Sequence, residues 1–352
     1  MTKQDLSLYI IPATTDVLTA LRRLNTFGSD RSQTLFAVDS DGRLSGSITD
    51  GDIRRHLVSG LTLDKPVSAI ANKSVHTLKA GSVSVSELAT FRAKAIELIP
   101  VVDSEGHIVD AVNLKIQKSY VPVDAVIMAG GKGQRLLPLT ATTPKPLLPL
   151  GDKAIIDHIV ESLIEYGIDN ICVTVNYLKQ QLIDHFSTPM HGVGVHCVEE
   201  PAFLGTIGSL RYAIPLLKHD TVLLTNSDAL TNLNYENFYL HFTEHDADMS
   251  VAAIPYSFSV PYGIFDLDGR EIRGVLEKPT YNYYANAGIY LIKRELLDLI
   301  PEGEFFNATD FMDKLISMGK RVIRYPLTGY WLDIGVPDEY ARAKEYIKHI
   351  NK

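Results

Sequence analysis

The segment Met128 to Pro146, MAGGKGQRLLPLTATTPKP, sets the tightest limit on what this chain can fold into. It follows Val123-Asp124-Ala125-Val126-Ile127, a mostly apolar run that reads as a buried strand. Within nineteen residues it holds Gly130, Gly131 and Gly133 with Lys132, Arg135 and Lys145, and it has no carboxylate. Glycines there free the backbone for positive φ and let amide N–H groups approach a ligand closely, as a phosphate cradle at the end of a strand requires. Spacing excludes two common phosphate loops. A Walker A loop needs Lys and then Ser or Thr after its last glycine, but Gly133 is followed by Gln134 and Arg135. A dinucleotide fingerprint counted from Gly131 would need its last glycine where Leu136 stands.

The remaining pattern, GGxGxR followed by LxPLT and PKPLLPL, resembles that of the sugar-1-phosphate nucleotidylyltransferases, with both halves at the family's spacing. The resemblance implies an α/β fold with a Rossmann-like, mainly parallel sheet. It also implies transfer of a nucleoside monophosphate from an NTP to a sugar-1-phosphate, with pyrophosphate leaving. In such a reaction the attacking oxygen is already an anion, so positioning and charge neutralisation matter more than a general base. Carried onto this sequence, Arg135 holds the outer phosphates and Lys145 faces the α-phosphate, while Ala129, Gly130, Gly131 and Gly133 line the nucleotide.

Further matches follow in order along the chain. Asp228 in LLTNSDALT and Asp333 in YWLDIGVPDEY match metal-binding aspartates, which implies Mg²⁺, a hard cation suited to carboxylate oxygens. Gly263 in PYG, Glu277 and Lys278 in EKP, and Asn286 in NAG match the sugar-phosphate side. Gly205 and Thr206 lie in LGTIG, similar to a base-binding LGTAG segment but with Ile207 where Ala is usual, and Glu199 and Glu200 precede it.

The first third contains a repeat at an offset of 64 residues. Val38-Asp39-Ser40-Asp41-Gly42 aligns with Val102-Asp103-Ser104-Glu105-Gly106, each followed by a short apolar strand. Each copy reads as a helix (Val17 to Leu24; Val85 to Ala93), a strand, an acidic Gly turn and a second strand. This resembles a tandem pair of CBS domains, copies at about 8–60 and 67–115 within 1–118, then a linker at 119–122 and a nucleotidyltransferase domain over 123–352. In GSITDGDIRRHL, Thr49 and Asp52 match a TxxD motif that holds an adenine nucleotide, which implies a regulatory effector. The second copy departs from it with Asn113 and Ile116. A purely structural or dimerising pair is the alternative, and a homodimer or higher homo-oligomer is expected. Fusion of the two modules resembles bacterial guanylyltransferases acting on glucosamine-1-phosphate or mannose-1-phosphate in surface-sugar routes of the legionaminic acid type.

Composition narrows the classes. At 45% hydrophobic and 22% charged residues the chain is ordinary for a soluble protein; no window approaches a membrane span and the first residues lack a signal-peptide core, so the cytoplasm is expected. Residues 121–352 carry 20 Lys+Arg against 29 Asp+Glu, which argues against nucleic acid as a partner and sets off the acid-free cluster of Lys132, Arg135 and Lys145. Cys172 and Cys197 indicate neither a disulfide framework nor a zinc site. His241-Phe242-Thr243-Glu244-His245 fits an HxxEH zinc pattern, but the run Tyr235 to His245 reads as an exposed helix without a third ligand. Two other functions stay open at this point: a catalytically silent nucleotide sensor, and cytidylyl or adenylyl transfer to another phosphate acceptor.

Overall fold

The computed structural model describes residues 3–28, 31–60, 62–80 and 84–350. The chain divides into two compact units, Met1–Val121 with Glu165–Gly167, and Pro122–Ile164 with Ile168–Lys352. Among the described residues no helix is long and apolar enough to cross a membrane.

The first unit is built from two copies of one small α/β motif. Strands Ile10–Pro12, Thr34–Val38 and Leu44–Thr49 form one sheet, and Leu78–Lys79, Leu98–Val102 and Ile108–Asn113 the other. In each sheet the first pairing is parallel and the second antiparallel. Thr34 opposes Thr49 and Leu98 opposes Asn113, so the registers match at the 64-residue offset, and both ladders shift at the same place, Ala37/Val38 and Val101/Val102. Arg43 and His107, which occupy equivalent positions, form an antiparallel bridge. An element that pairs with its own equivalent marks a local pseudo-two-fold axis.

Helices Val17–Asn25 and Val85–Ala93 start at side-chain caps, Asp16 accepting from the Thr19 N–H and Ser84 from that of Glu87. Their buried faces are Val17, Ala20 and Leu24, and Val85, Leu88 and Phe91. The copies part after their last strands. Thr49 and Asp52 make a capping box that starts the helix Asp50–Val58. The second copy has Asn113 at that place, whose side chain accepts from the Lys115 N–H in a turn, and no helix follows.

The second unit carries a seven-stranded sheet. From edge to edge its strands are Val195–Glu199, Ile171–Val175, Asp124–Met128, Thr221–Asn226, Thr280–Lys293, Met249–Ser259 and Val322–Pro326. The first four are mutually parallel, and the fifth is antiparallel to both its neighbours. All five residues of Ile171–Val175 are buried, the pattern of a strand covered on both faces. Amphipathic helices do the covering. Ile155–Glu165 buries Ile155, Ile156, Ile159, Val160 and Leu163, and Ala308–Ser317 buries Ala308, Phe311 and Leu315. Asp124–Met128 and Thr221–Asn226 lie side by side, with Ile171–Val175 and Val195–Glu199 beyond the first and the three later strands beyond the second. That is the topological switch point, beyond whose strand C-termini open α/β sheets bind ligands.

One element differs from the sequence reading. The helix Tyr235–Glu244 is not simply exposed: Tyr235, Phe238 and Phe242, spaced three and four apart, are buried. After Gly208 the chain makes one helical turn, Leu210–Ala213, passing into a 3₁₀ turn at Ile214–Leu216, because Pro215 supplies no N–H to continue it.

Candidate active site

The glycine segment leaves the carboxyl end of Asp124–Met128, at the switch point, and each glycine answers a different demand. Gly133 sits at φ 60, a left-handed position that glycine takes freely. Gly130 is constrained by proximity, since a Cβ there would run into the Glu200 carboxylate, whereas Gly131 faces open space. Only one of the three therefore uses positive φ. Past them, a hydrogen bond from Thr140 Oγ1 to the Gly133 carbonyl folds the loop back on itself. Tyr177 Oη donates to the Thr140 carbonyl and fixes the fold-back to the neighbouring strand's exit.

The loop's leucines anchor it. Leu136, Leu148 and Leu150 pack with Leu230, Ile334, Tyr340 and Ile347, and Tyr340 Oη donates to the Pro149 carbonyl at 2.6 Å. The C-terminal helix Pro337–Ile350 thus supports both the phosphate loop and the segment bearing Asp333.

Two short strands set the carboxylates. Ala229–Thr231 pairs antiparallel with Trp331–Asp333, with Ala229 opposite Asp333, and the Ile334 N–H donates to the Asp228 carbonyl. Asp228 and Asp333 are thereby neighbours although 105 residues apart in sequence. Lys145, in the 3₁₀ turn Lys145–Leu147 just after Pro144, reaches across and pairs through Nζ with Asp228 Oδ2. The other oxygen, Asp228 Oδ1, is buried with no hydrogen-bond partner among the described residues. The Asp333 carboxyl is held above the ordinary aspartate range, first by burial and then by the charge of Asp228, with Lys145 and Arg135 pulling the other way.

Lys132, Gly133, Gln134, Arg135, Lys145, Asn226, Asp228 and Asp333 line one cavity of about 580 Å³, together with Phe203 and Gly335. Lys132 and Arg135 are exposed and carry no ion pair among the described residues. The cavity therefore brings three cations together with two carboxylates, one of which has an idle oxygen. This arrangement suits a polyanion together with a hard cation.

The acceptor-side residues are placed elsewhere, and none of Gly263, Glu277, Lys278 and Asn286 lines that cavity. Gly263 and Glu277 do meet, since a Cβ on Gly263 would lie 2.9 Å from Glu277 Oε2. Lys278 adopts φ 45, a conformation that non-glycine residues rarely take. Asn286 opens an irregularity in the ladder between Met249–Ser259 and Thr280–Lys293; its amide donates to Tyr290 Oη and accepts from the Gly288 N–H. The same segment reaches the cavity indirectly. Trp331 Nε1 donates to the Ala287 carbonyl, and Gly288 leaves room for the Asn226 side chain, which lines the cavity.

Gly205 and Thr206 tie their loop to a distant segment of the chain. Gly205 takes φ 80 and a Cβ there would run into the Phe306 carbonyl, while Thr206 Oγ1 accepts from the Ala308 N–H, lacing this loop to the start of the helix Ala308–Ser317. Three participants carry no role in the sequence reading: Asn226, Phe203 and Gly335. Asn226 stands two residues before Asp228 in LLTNSDALT, where a neutral amide beside a carboxylate gives no charge signal. Glu200, only 6% exposed, lies beside Gly130. Its carboxyl is pushed up by burial, against hydrogen bonds from Thr174, the Leu204 amide and Ser209.

The rings of His241 and His245 lie with centroids 4.3 Å apart and planes tilted by 31°, His241 sits beside Tyr325, and His245 Nδ1 lies 2.9 Å from the His241 carbonyl oxygen. Among the described residues no group of three or more His, Cys, Asp or Glu is placed to hold a metal ion.

Several known proteins are similar to this chain. The family model described as nucleotidyl transferase matches residues 124–349, and the CBS domain model matches residues 1–59. The D-glycero-alpha-D-manno-heptose 1-phosphate guanylyltransferase of Aneurinibacillus thermoaerophilus is 25% identical, over 64% of this chain and 99% of its own. The mannose-1-phosphate guanyltransferase 2 of Candida glabrata is 30% identical, over 61% of this chain and 62% of its own. The chain thus spans about three-fifths of the length of that mannose enzyme. The crystal structure of HddC from Yersinia pseudotuberculosis superposes with a TM-score of 0.51 at 25% identity, covering 64% of this chain and 99% of that one. A loop of cations facing paired carboxylates at the switch point, and a family match running from Asp124 to His349, lead to one conclusion: the chain belongs to the nucleotidyl transferase family.

Proposed function

We propose that this chain transfers a nucleoside monophosphate from an NTP to a sugar-1-phosphate, with GTP and either mannose-1-phosphate or glucosamine-1-phosphate as the pair. The observation that carries the reading is the convergence of Lys132, Arg135, Lys145, Asp228 and Asp333 on one cavity. Relatives named as guanylyltransferases of mannose- and heptose-1-phosphate support the base and the acceptor class.

The residues divide the work as the charges dictate. Arg135, exposed and unpaired among the described residues, binds the phosphates that leave as pyrophosphate, its planar fork suited to two oxygens at once. Lys145 stands beside the reacting phosphorus, where a fixed positive charge favours the transition state over the ground state. Asp228 and Asp333 would hold a Mg²⁺ ion, and the unpartnered Asp228 Oδ1 fits that use. Mg²⁺, when bound, neutralises charge on the triphosphate. On the acceptor side Glu277 and Asn286 take sugar hydroxyls and Lys278 the sugar phosphate. No residue has to remove a proton, because the acceptor phosphate is already ionised.

The N-terminal unit carries a separate cavity of about 330 Å³, lined in part by Thr34, Thr49, Asn72 and His76, which is the candidate place for an adenine-nucleotide effector. Thr49 lines it; Asp52 instead accepts from the Thr49 N–H and hydroxyl through Oδ2 and pairs with Arg55 through Oδ1. The reading also includes a homodimer working in the cytoplasm.

The test is pyrophosphate release by the purified full chain with each of four NTPs against a panel of sugar-1-phosphates. Release with GTP and one of the two named sugars is expected. No release with any pair sinks the enzyme, and release only with a non-sugar acceptor sinks the substrate class.

A further inference from the structure

One residue in the cavity does not match its chemistry. Phe203 is the only hydrophobic side chain among residues that otherwise carry charge, amide or no side chain. It is 52% exposed, and across from it Phe305 is 59% exposed. The two rings face each other with centroids 5.9 Å apart and planes tilted by 57°. Leaving two phenyl rings in water is unfavourable, so their position calls for a cause.

The backbone supplies it. The loop 203–208 and the segment 304–308 are laced by four hydrogen bonds: Phe306 N–H to the Leu204 carbonyl at 2.9 Å, Ile207 and Gly208 N–H to the Phe306 carbonyl at 3.1 and 3.2 Å, and Ala308 N–H to Thr206 Oγ1 at 2.8 Å. Gly205, at φ 80, allows the close approach. The lacing fixes which residue of each segment goes inside. Leu204 is buried and Phe306 packs on the core against Phe311, so their neighbours Phe203 and Phe305 are turned outward together.

We infer that Phe203 is a nucleotide-positioning residue whose ring stacks on the base of the NTP, with Phe305 closing the edge of the same pocket. The inference rests on the proposed function. The cations of the cavity claim the phosphates, leaving the base as the one flat, weakly hydrated part of the substrate, and Phe203 as the one flat, apolar wall. The 57° tilt decides the roles: a base sandwiched between both rings would need them parallel, so one ring offers its face and the other its edge. Stacking tolerates any base, because each has a π-face, so Phe203 contributes affinity while base choice is left to hydrogen-bonding groups.

The test separates base from phosphates. Binding of GTP and of inorganic tripolyphosphate to the full chain is measured by calorimetry, with KM for both substrates by initial rates. Phe203→Ala should weaken GTP about tenfold or more, the scale of one lost base–aromatic stack. It should leave tripolyphosphate affinity and the sugar phosphate KM within twofold. Phe203→Tyr, which keeps the π-face, should recover most of the GTP affinity, and Phe305→Ala should lose less than Phe203→Ala. Equal weakening of GTP and tripolyphosphate would show that Phe203 only shapes the loop, and unchanged GTP affinity would remove it altogether. A wild-type chain that binds neither tripolyphosphate nor any NTP overturns the proposed function itself, and the stacking role with it.

Discussion

The nucleotide side and the acceptor side of the cleft are built to different standards. The nucleotide side grows from strand ends inside the parallel part of the sheet, where Ala125, Val126, Ile127 and Leu224 are fully buried, and its loop is tied by Thr140, Tyr177 and Tyr340. The acceptor side rides on a projecting ribbon. The strand Met249–Ser259 shows both conditions within eleven residues: its first five are buried beside Val322–Pro326, and Tyr256 to Ser259 are exposed. There it pairs only with the outer half of Thr280–Lys293, and the hairpin of Ile264–Asp268 with Glu271–Leu276 is exposed nearly throughout. A two-stranded ribbon is marginal in water by itself. What steadies this one is stacking of Phe258 with Tyr281 and Tyr283, and Arg324 over Tyr284 at 3.8 Å. Under the proposed function the triphosphate would meet a preformed site, whereas the sugar phosphate would meet one with little to hold it in place.

The largest effect expected from this contrast is at Lys145. Lys145→Ala should lower kcat by about 10²–10³, the usual cost of removing one preorganised charge-stabilising donor, with a much smaller change in the sugar phosphate KM. Steady-state rates decide it, and an unchanged kcat takes Lys145 out of the mechanism. Next comes Asp333, where stability and function should move in opposite directions. Its folded-state pKa is raised, so its contribution to stability is full below the ordinary aspartate value and is lost as pH rises through the raised value. At neutral pH its charge is then a cost. Asp333→Asn should raise Tm by about 2–4 °C, the response of a domain this size to ~1 kcal/mol, while weakening Mg²⁺ binding measured by calorimetry. A lower Tm with Mg²⁺ affinity intact would make Asp333 a structural residue.

The same contrast explains what could be read from the sequence. Buried parallel strands write themselves as apolar runs, so the strand before the glycine loop is legible to within a residue, and the ordered motifs point to Arg135, Lys145, Asp228 and Asp333, which line one cavity. The first unit was legible because its repeat keeps one register at one offset. Contributions that arrive from distant segments were not. Phe305 lies a hundred residues beyond Phe203, and only the hydrogen bonds between their loops bring the rings together. The helix Tyr235–Glu244 differs for another reason: its His and Glu residues interleave with Tyr235, Phe238 and Phe242, so the three-and-four spacing of the buried face is masked by polar neighbours. For the ribbon, alternating apolar residues normally signal a buried face, and nothing in the sequence said that both faces are exposed.

Smaller effects belong to the acceptor side. Lys278→Ala should raise the sugar phosphate KM about tenfold, since a charge-assisted hydrogen bond is worth ~1.5–3 kcal/mol, and leave GTP affinity alone. Glu277→Gln, which keeps the shape and hydrogen-bonding reach, should cost less. Hydrogen exchange across 254–285 should slow when the acceptor is bound and change little with GTP alone, because only the acceptor would tie the ribbon down. Equal protection by GTP alone would mean that the two sides order together, and the contrast would fail.

The smallest effect tests the far end of the nucleotide side. Asp124 opens the central strand, away from the glycine loop, and is fully buried. It accepts from Asn170 Nδ2 at 2.6 Å and from the Lys218 and His219 N–H groups, and His219 Nδ1 lies 2.9 Å away. Burial alone would raise its pKa, but these hydrogen bonds outweigh burial and hold it below the ordinary range. The same hydrogen bond raises His219 against the pull of burial. The signs then follow. The contribution of Asp124 is present above the ordinary aspartate pKa of about 3.9 and lost as pH falls through its lowered value. That of His219 is full below about 6.5 and lost as pH rises through its raised value. Wild-type Tm should therefore decline by about 2–4 °C between neutral and mildly alkaline pH, and His219→Gln should flatten that decline without touching either substrate's KM. An identical alkaline decline in His219→Gln would show that the pair contributes nothing there, and that the sheet is rigid at its ligand-binding end for reasons other than this clamp.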